Sequence, residues 1–459
     1  MRWPQTRIEM TKFLIRPRGV SRENGQTIAL VAVSMLSLVA MAAIAIDLTT
    51  LYVARGEIQR AADATALAAA KAFVDSGVTT HPGNTGLQNV ARAMAGDFAA
   101  AVLPQNNVVG VPAQFASGSP AVNFNVQGNP QVTVRLERTG LPIFFARIWG
   151  NSTASVSATA IAEAYNPAYA QTNTGAFLPS APKCVKPFLV PNTDVTQSIR
   201  FVDPSTGAVN NSGNPFIGER LVLSSACKGG GPGCILQPSN PNPHPQAGEY
   251  LPMLVPDSHQ YCPSNSALGC AGNSGTDFER SIECCDGSVF DFPQCGTSGT
   301  AAFWDTTTNP QGPSHPARSG LQCLIHTNNP GPPTGIPEQD TINLTALLSN
   351  AGPQISPGTF SQARYSIQPG SLASTSDSII TVPLFDNRVL PPPQQLTVVG
   401  FLQLFVNYTG PGVPSVAGSG QQGAFDTYIL NVIGCGSAGP GPAVSGGGAS
   451  PIPVRLIHN

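Results

Sequence analysis

The chain has 459 residues and a formal net charge of −2, and only 10% of it is charged, against roughly 25% in ordinary soluble domains. That balance excludes a broad basic field for nucleic acid, and the length allows about two or three domains. Gly (47) and Pro (44) are abundant, so the polar surface must come from Asn, Gln, Ser and Thr, as in many loop-rich extracytoplasmic proteins.

Residues 1–24 form a basic arm, with Arg2, Arg7, Lys12, Arg16, Arg18 and Arg22 set against Glu9 and Glu23. No charge then occurs from Gly25 to Ile46. At 1.5 Å per residue that run spans about 33 Å as a helix, enough for a bilayer core of roughly 30 Å. Residues 25–48 are therefore expected to be a single transmembrane helix, with the arm cytoplasmic and everything after Asp47 on the far side. Ala40-Met41-Ala42 and Ala43-Ile44-Ala45 also read as signal-peptidase sites. The long arm, the length of the apolar run and the unbroken helical pattern from Thr27 to Phe73 favour an uncleaved anchor. A prepilin-type cut after Gly25 would call for Glu at the position of Leu30.

The helix continues into an alanine-rich stretch where Ala54, Ile58, Ala61, Thr65, Ala68 and Ala72 recur at spacings of three and four. Small side chains there let a second element approach closely. The seam Ala54, Ile58, Ala61, Thr65 and Ala68 packs either on the chain's own domain or on a partner subunit. His81-Pro82-Gly83-Asn84 breaks the helix, and a second helix is predicted over Leu87–Ala101. Strand patterns follow at Val122/Phe124/Val126, Val132/Val134/Leu136 and Ala154–Glu163, with an aromatic amphipathic piece at Leu141–Trp149. Residues 49–165 read as an α+β unit and 166–183 as a linker.

All ten cysteines lie between Cys184 and Cys435. An even number confined to the exported part predicts disulfides in an oxidising compartment, among Cys184, Cys227, Cys234, Cys262, Cys270, Cys284, Cys285, Cys295, Cys323 and Cys435. The pairs Cys227/Cys234 and Cys262/Cys270 look like local staples. A bond between the neighbours Cys284 and Cys285 would be strained, so each is expected to pair elsewhere, with Cys295 or Cys323 among the choices. Cys184 and Cys435 bracket the region and are placed to tie its ends. Residues 184–435 read as mostly β, with short apolar runs at Phe188–Val190 and Arg220–Leu223. Pro/Gly-rich loops are densest at Pro238–Pro256 and Asn309–Pro337, and longer strands lie at Ile379–Phe385, Leu396–Tyr408 and Phe425–Ile433. Residues 436–459 read as a disordered Gly/Pro tail. The whole is α+β: an anchor helix, a small α+β unit and a disulfide-stapled β-rich body.

The motifs G-x-S-x-G, Walker A, H-E-x-x-H and C-x-x-C are all missing. His81, His244, His259, His315, His326 and His458 are scattered, and Asp257-Ser258-His259 has no matching partner motif. Asp194-Val195-Thr196-Gln197-Ser198 loosely fits D-x-[ST]-x-S of metal-dependent adhesion sites. Pro191-Asn192-Thr193 separates it from the preceding apolar run and no second acidic loop can be named, so it reads as a solvated turn. No catalytic residue, metal, cofactor, nucleic acid or small-molecule substrate is expected.

Glu23-Asn24-Gly25-Gln26, the apolar span ending Ala45-Ile46-Asp47, Leu51-Tyr52-Val53-Ala54-Arg55 and the run Ile58–Ala70 closely resemble the N-terminal domain of TadG-like proteins of Flp pilus (tight-adherence) assembly. The likeness covers Ser21 to about Ala72 and extends more loosely through Val132–Glu163, with further similar strands at Val382–Asp386 and Val398–Phe401. The resemblance implies a non-enzymatic inner-membrane protein that reaches into the periplasm and meets the membrane and other pilus-assembly subunits through the Ala-rich helix. A surface adhesin or matrix-binding protein is the alternative raised by the low-charge, Asn/Thr-rich body. A periplasmic hydrolase is disfavoured by the missing motifs.

Overall fold

The computed structural model describes residues 24–124, 129–143, 145, 153–168, 178–210, 216–227, 231, 233–234, 236, 245–254, 276–285, 289–290, 295, 301–310, 315–326, 339–343, 354–368, 370–373, 375–388, 395–408, 423–436, 443–444 and 450–457. The basic arm, His244, Asp257-Ser258-His259, Cys262, Cys270, His458, half of the expected linker and the end of the aromatic piece lie outside them. Contacts divide the chain into two compact units, Met1–Arg55 with Thr139–Val156, and Gly56–Arg138 with Ser157–Asn459.

Helix α1 (Asn24–Asp75) is continuous, as its unbroken pattern predicts. It holds no proline, and its alanines are the strongest helix formers. In the first unit its side chains from Ile28 to Leu48 are mostly exposed, and Asp47, only 8% exposed, accepts the Phe145 amide at 3.0 Å.

In the second unit, α2 (Thr85–Val102) starts at Asn84, whose side chain accepts the Leu87 amide and satisfies an otherwise orphaned donor. It buries Leu87, Ala91, Ala95 and Ala99 at helical spacing. A hairpin, β1 (Asn107–Val108) and β2 (Val111–Pro112), follows. A five-stranded sheet is then built from β3 (Gln114–Phe115), β4 (Ala121–Asn123), β5 (Gln131–Pro142) and β6 (Thr153–Ala164). Val132, Val134 and Leu136 alternate inward from β5. The fifth strand of this sheet comes from far along the chain.

The body is a barrel. Its strands are β7 (Phe188–Pro191), β8 (Arg220–Ser225), β9 (Glu249–Pro252), β10 (Ala301–Phe303), β13 (Ile379–Phe385), β14 (Gln395–Tyr408) and β15 (Phe425–Gly434). They run in the order β10-β14-β13-β7-β9-β8-β15, and β14 also pairs with β15, which closes six of them into a ring. The pairs β13–β7 and β8–β9 are parallel, while β13–β14, β14–β15, β15–β8 and β7–β9 are antiparallel. Closure removes the open edges that would template pairing with other chains. A core cluster inside the barrel includes Phe188, Val190, Leu223, Tyr250, Val382, Leu384, Leu402, Leu404, Phe425 and Ile429.

Three short helices and a second hairpin surround the ring where the sequence reads as mostly β and loop: α3 (Asp277–Glu283), α4 (Pro316–Leu324), α5 (Thr359–Tyr365), and β11 (Thr341–Asn343) with β12 (Gln354–Ser356). Pro316 opens α4, where its missing N–H costs nothing. A Cβ at Gly320 would lie 3.0 Å from the Glu279 carbonyl and from Ile282 Cβ, tighter than ordinary contact, so glycine suits the close α3–α4 approach. Buried Lys186 donates to the Ile282 and Cys284 carbonyls and caps the end of α3.

Cys227 bonds Cys234, and Cys184 and Cys435 are bonded to Cys285 and Cys295 rather than to each other. Cys284 and Cys323 are also disulfide-bonded. Residues 436–459 are not simply a tail: β16 (Val454–Ile457) pairs antiparallel with β6 as the fifth strand of the small sheet. Its alternation is too short to read beside the Gly-rich run before it.

Candidate functional site

The feature with most consequence is α1 itself and the way its end is fixed to the barrel. In the apolar half, Ile28, Leu30, Val31, Val33, Met35 and Leu36 are all at least 55% exposed. These positions face every direction around a helix, so no single packing partner within the chain could cover them. This is the one helix among the described residues long and apolar enough to cross a membrane.

From Ala54 onward the pattern inverts. Ala54, Ile58, Ala61 and Thr65 are buried and Ala68 is half-buried, so the small-residue seam already lies inside the chain. Thr65 returns its hydroxyl to the Ala61 carbonyl at 2.7 Å, which lets a polar residue sit on this face without an orphaned donor. Within the second unit, Glu57 accepts the Val109 amide at 2.7 Å, and Phe73 meets Phe124 edge-on at 5.8 Å. Arg55, Gly56, Gln59 and Arg60 remain exposed.

The end of α1 meets β15 through a buried polar cluster. Asn431 is 1% exposed. Its Nδ2 donates to the Val74 carbonyl at 2.9 Å and to Gln403 Oε1 at 2.6 Å. Its Oδ1 accepts from the Thr79 and Thr80 hydroxyls at 2.9 and 3.3 Å. The Val432 amide donates to Thr80 Oγ1 at 2.9 Å, and Asn166 Nδ2 bridges the Thr79 and Val432 carbonyls at 3.0 Å each. His81 Nε2 accepts the Phe216 amide at 3.2 Å. Helix end, following turn and barrel strand are thus joined by a satisfied buried network, which fixes one arrangement more sharply than apolar packing alone. Sequence reasoning missed it, although one signal was present: Asn431 interrupts an otherwise apolar stretch from Tyr428 to Ile433.

One histidine cluster has the outline of a catalytic pair. His326 Nε2 lies 2.9 Å from Asp377 Oδ2, and the Tyr365 hydroxyl donates to Asp377 Oδ1 at 2.7 Å. The His326 ring stacks on Phe360 at 3.6 Å. Burial opposes the Asp377 charge, but bonds from His326 and Tyr365 hold its carboxyl below the usual range. Burial and the bond to Asp377 push Tyr365 up to about 12. The Ser361 hydroxyl is committed to Asp340 at 2.9 Å, and among the described residues the cluster ties the end of α4, through His326, and α5, through Tyr365, to the loop before β13. Asp194, expected in a solvated turn, is instead 1% exposed.

Residues 25–72 match the family model Tad, described as "Putative Flp pilus-assembly TadE/G-like". The matched stretch runs from the start of the exposed apolar half to the buried alanine-rich half, and it agrees with the TadG-like resemblance of the same residues. No curated protein matches the chain, and no solved structure does. The match associates this segment with Flp pilus assembly and with a possible N-terminal membrane anchor. Tad is a pilus-assembly family and not an enzyme family.

Proposed function

We propose that the chain is a non-enzymatic, single-pass component of Flp pilus assembly. It sits in the bacterial inner membrane with its basic arm cytoplasmic and its disulfide-bonded body in the periplasm. The observation that carries this reading is the inversion along α1: within the Tad-matched residues, apolar side chains go from exposed on all sides to buried in the chain's own fold. A helix built that way has one half suited to lipid and one half suited to holding a folded body. The positive flank supports the orientation, and the disulfides support an oxidising compartment.

Contacts with other pilus-assembly subunits fall to the faces of α1 that stay open, the apolar span and the Arg55/Gln59/Arg60 face, because four of the five seam residues are already covered. An alkaline phosphatase fused after Phe73 should be active, and the full-length protein should stay in the membrane pellet after carbonate washing. A deletion strain should lose pili and surface attachment. Normal pili in that strain would refute the pilus role, and a soluble form beginning near Ala43 or Asp47 would refute the anchor.

A further inference from the structure

Asp194 and Glu219 lie away from the helix junction and take no part in it. Asp194 follows β7 in a turn closed by its own amide, which donates to the Ile199 carbonyl at 2.8 Å. Its Oδ2 accepts the Gln197 amide at 2.6 Å, while its Oδ1 is buried with no hydrogen-bond partner. Glu219 stands just before β8, and its Oε1 is also buried and unpartnered. The two carboxyl groups lie within hydrogen-bond reach of each other, and the Thr196 hydroxyl and Gln197 side chain reach Glu219. Among the described residues no lysine or arginine acts on Glu219; the neighbouring Arg220 is engaged with Asp426 at 2.7 Å.

A buried carboxylate facing a half-buried one, each with an empty, covered acceptor oxygen, is unfavourable unless something positive lies between them. Burial and the Asp194 charge raise the Glu219 pKa, which shows the same deficit from the electrostatic side. The available donors are all oxygen: two carboxylates, a hydroxyl and a side-chain amide. Such a set excludes soft metals, which want thiolate or imidazole, and suits a hard cation. Among the described residues no group of three or more His, Cys, Asp or Glu is placed to hold a metal, so this would be a low-charge site completed by water and carbonyl oxygens. Calcium accepts such irregular, flexible oxygen shells, whereas magnesium demands near-octahedral geometry.

We propose that Asp194 and Glu219, helped by Thr196 and Gln197, bind one Ca²⁺ that ties the turn after β7 to the start of β8. With two carboxylates the affinity belongs to the weak extracellular class, about 0.1–1 mM. The inference is independent of the pilus reading. The test uses the full-length protein in detergent micelles, stripped with a chelator and titrated with CaCl₂ at pH 7.5 by calorimetry, with thermal unfolding in parallel. One saturable site is expected, with an unfolding midpoint that rises with Ca²⁺. Glu219→Gln and Asp194→Asn, which preserve shape, should each weaken binding at least about tenfold, as loss of a ligand charge requires. Asp97→Asn, an exposed acid on α2, should leave it unchanged. No saturable uptake up to 10 mM (about ten times the weakest expected constant) would overturn the proposal, and so would Glu219→Gln binding like the wild type. If uptake is absent and Glu219→Gln is more stable than the wild type at pH 8, a shared proton joins the pair instead of a cation.

Discussion

Replacing Asn431 by Ala tests whether the polar junction fixes α1 to the barrel. The change removes two donors and two accepted bonds at a site 1% exposed. The Val74 carbonyl keeps the Gly77 amide at 3.1 Å, so it is not stranded. Gln403 Oε1 loses its 2.6 Å donor and the Thr79 hydroxyl loses its 2.9 Å acceptor. A stranded buried polar group costs about 1–3 kcal/mol, so the two together, with a small cavity, give about 3 kcal/mol. Gln59→Ala, which removes an exposed bond to Asp63, should cost under about 0.5 kcal/mol. Urea unfolding of the full-length protein in micelles gives the global loss. Hydrogen exchange across β15 gives the local one, and the Val432 amide, held by Thr80 Oγ1, should lose protection first. A loss no greater than that of Gln59→Ala, with Val432 still protected, would refute the argument that this network joins helix to barrel.

Gly434→Ala should fail to accumulate, or lose about 3 kcal/mol in unfolding, because the new methyl would sit 1.7 Å from the Gly207 carbonyl, a backbone atom that cannot swing away. Removing the Cys295–Cys435 bond, which spans 140 residues, should cost about 4–5 kcal/mol, against about 2 kcal/mol for Cys227–Cys234 across seven, measured on Cys→Ser pairs. Burial, helped by nearby Glu279, raises Glu283 to about 7. A carboxyl whose pKa is higher folded than unfolded favours the fold when protonated, so stability should fall as pH rises from about 4.5 to 7. Glu283→Gln should flatten that part of the pH–stability curve, and an unchanged slope would remove Glu283 as its source.

The anchor helix was legible because two signals coincide in it: a run without charge long enough for a bilayer, and small residues at helical spacing after it. The three late strands were legible as apolar runs, but the ring they close was not. Closure depends on β14 pairing on both sides, and register between distant strands leaves no mark in either strand alone. Strand β9 was hidden inside Pro238–Pro256, where Glu249–Pro252 is too short to show a period. The Asp194 turn was misread because Glu219, its partner, is separated from it in sequence and carries no motif. The seam residues were found by spacing, yet spacing cannot distinguish a partner's surface from the chain's own interior.

The last strand of the small sheet has a consequence for how the chain is made. Arg455 sits opposite Glu163 and bonds it at 2.7 Å across a separation of 292 residues, and its guanidinium also lies 4.8 Å from the Tyr165 ring. Until that segment emerges, β6 has an unsatisfied flank, the kind of edge onto which foreign strands add. The small sheet therefore cannot be completed until residues 454–457, its fifth strand, have been made. A chain interrupted before Val454 would leave residues 161–164 of β6 without their strand partner, an exposed flank that the finished molecule covers.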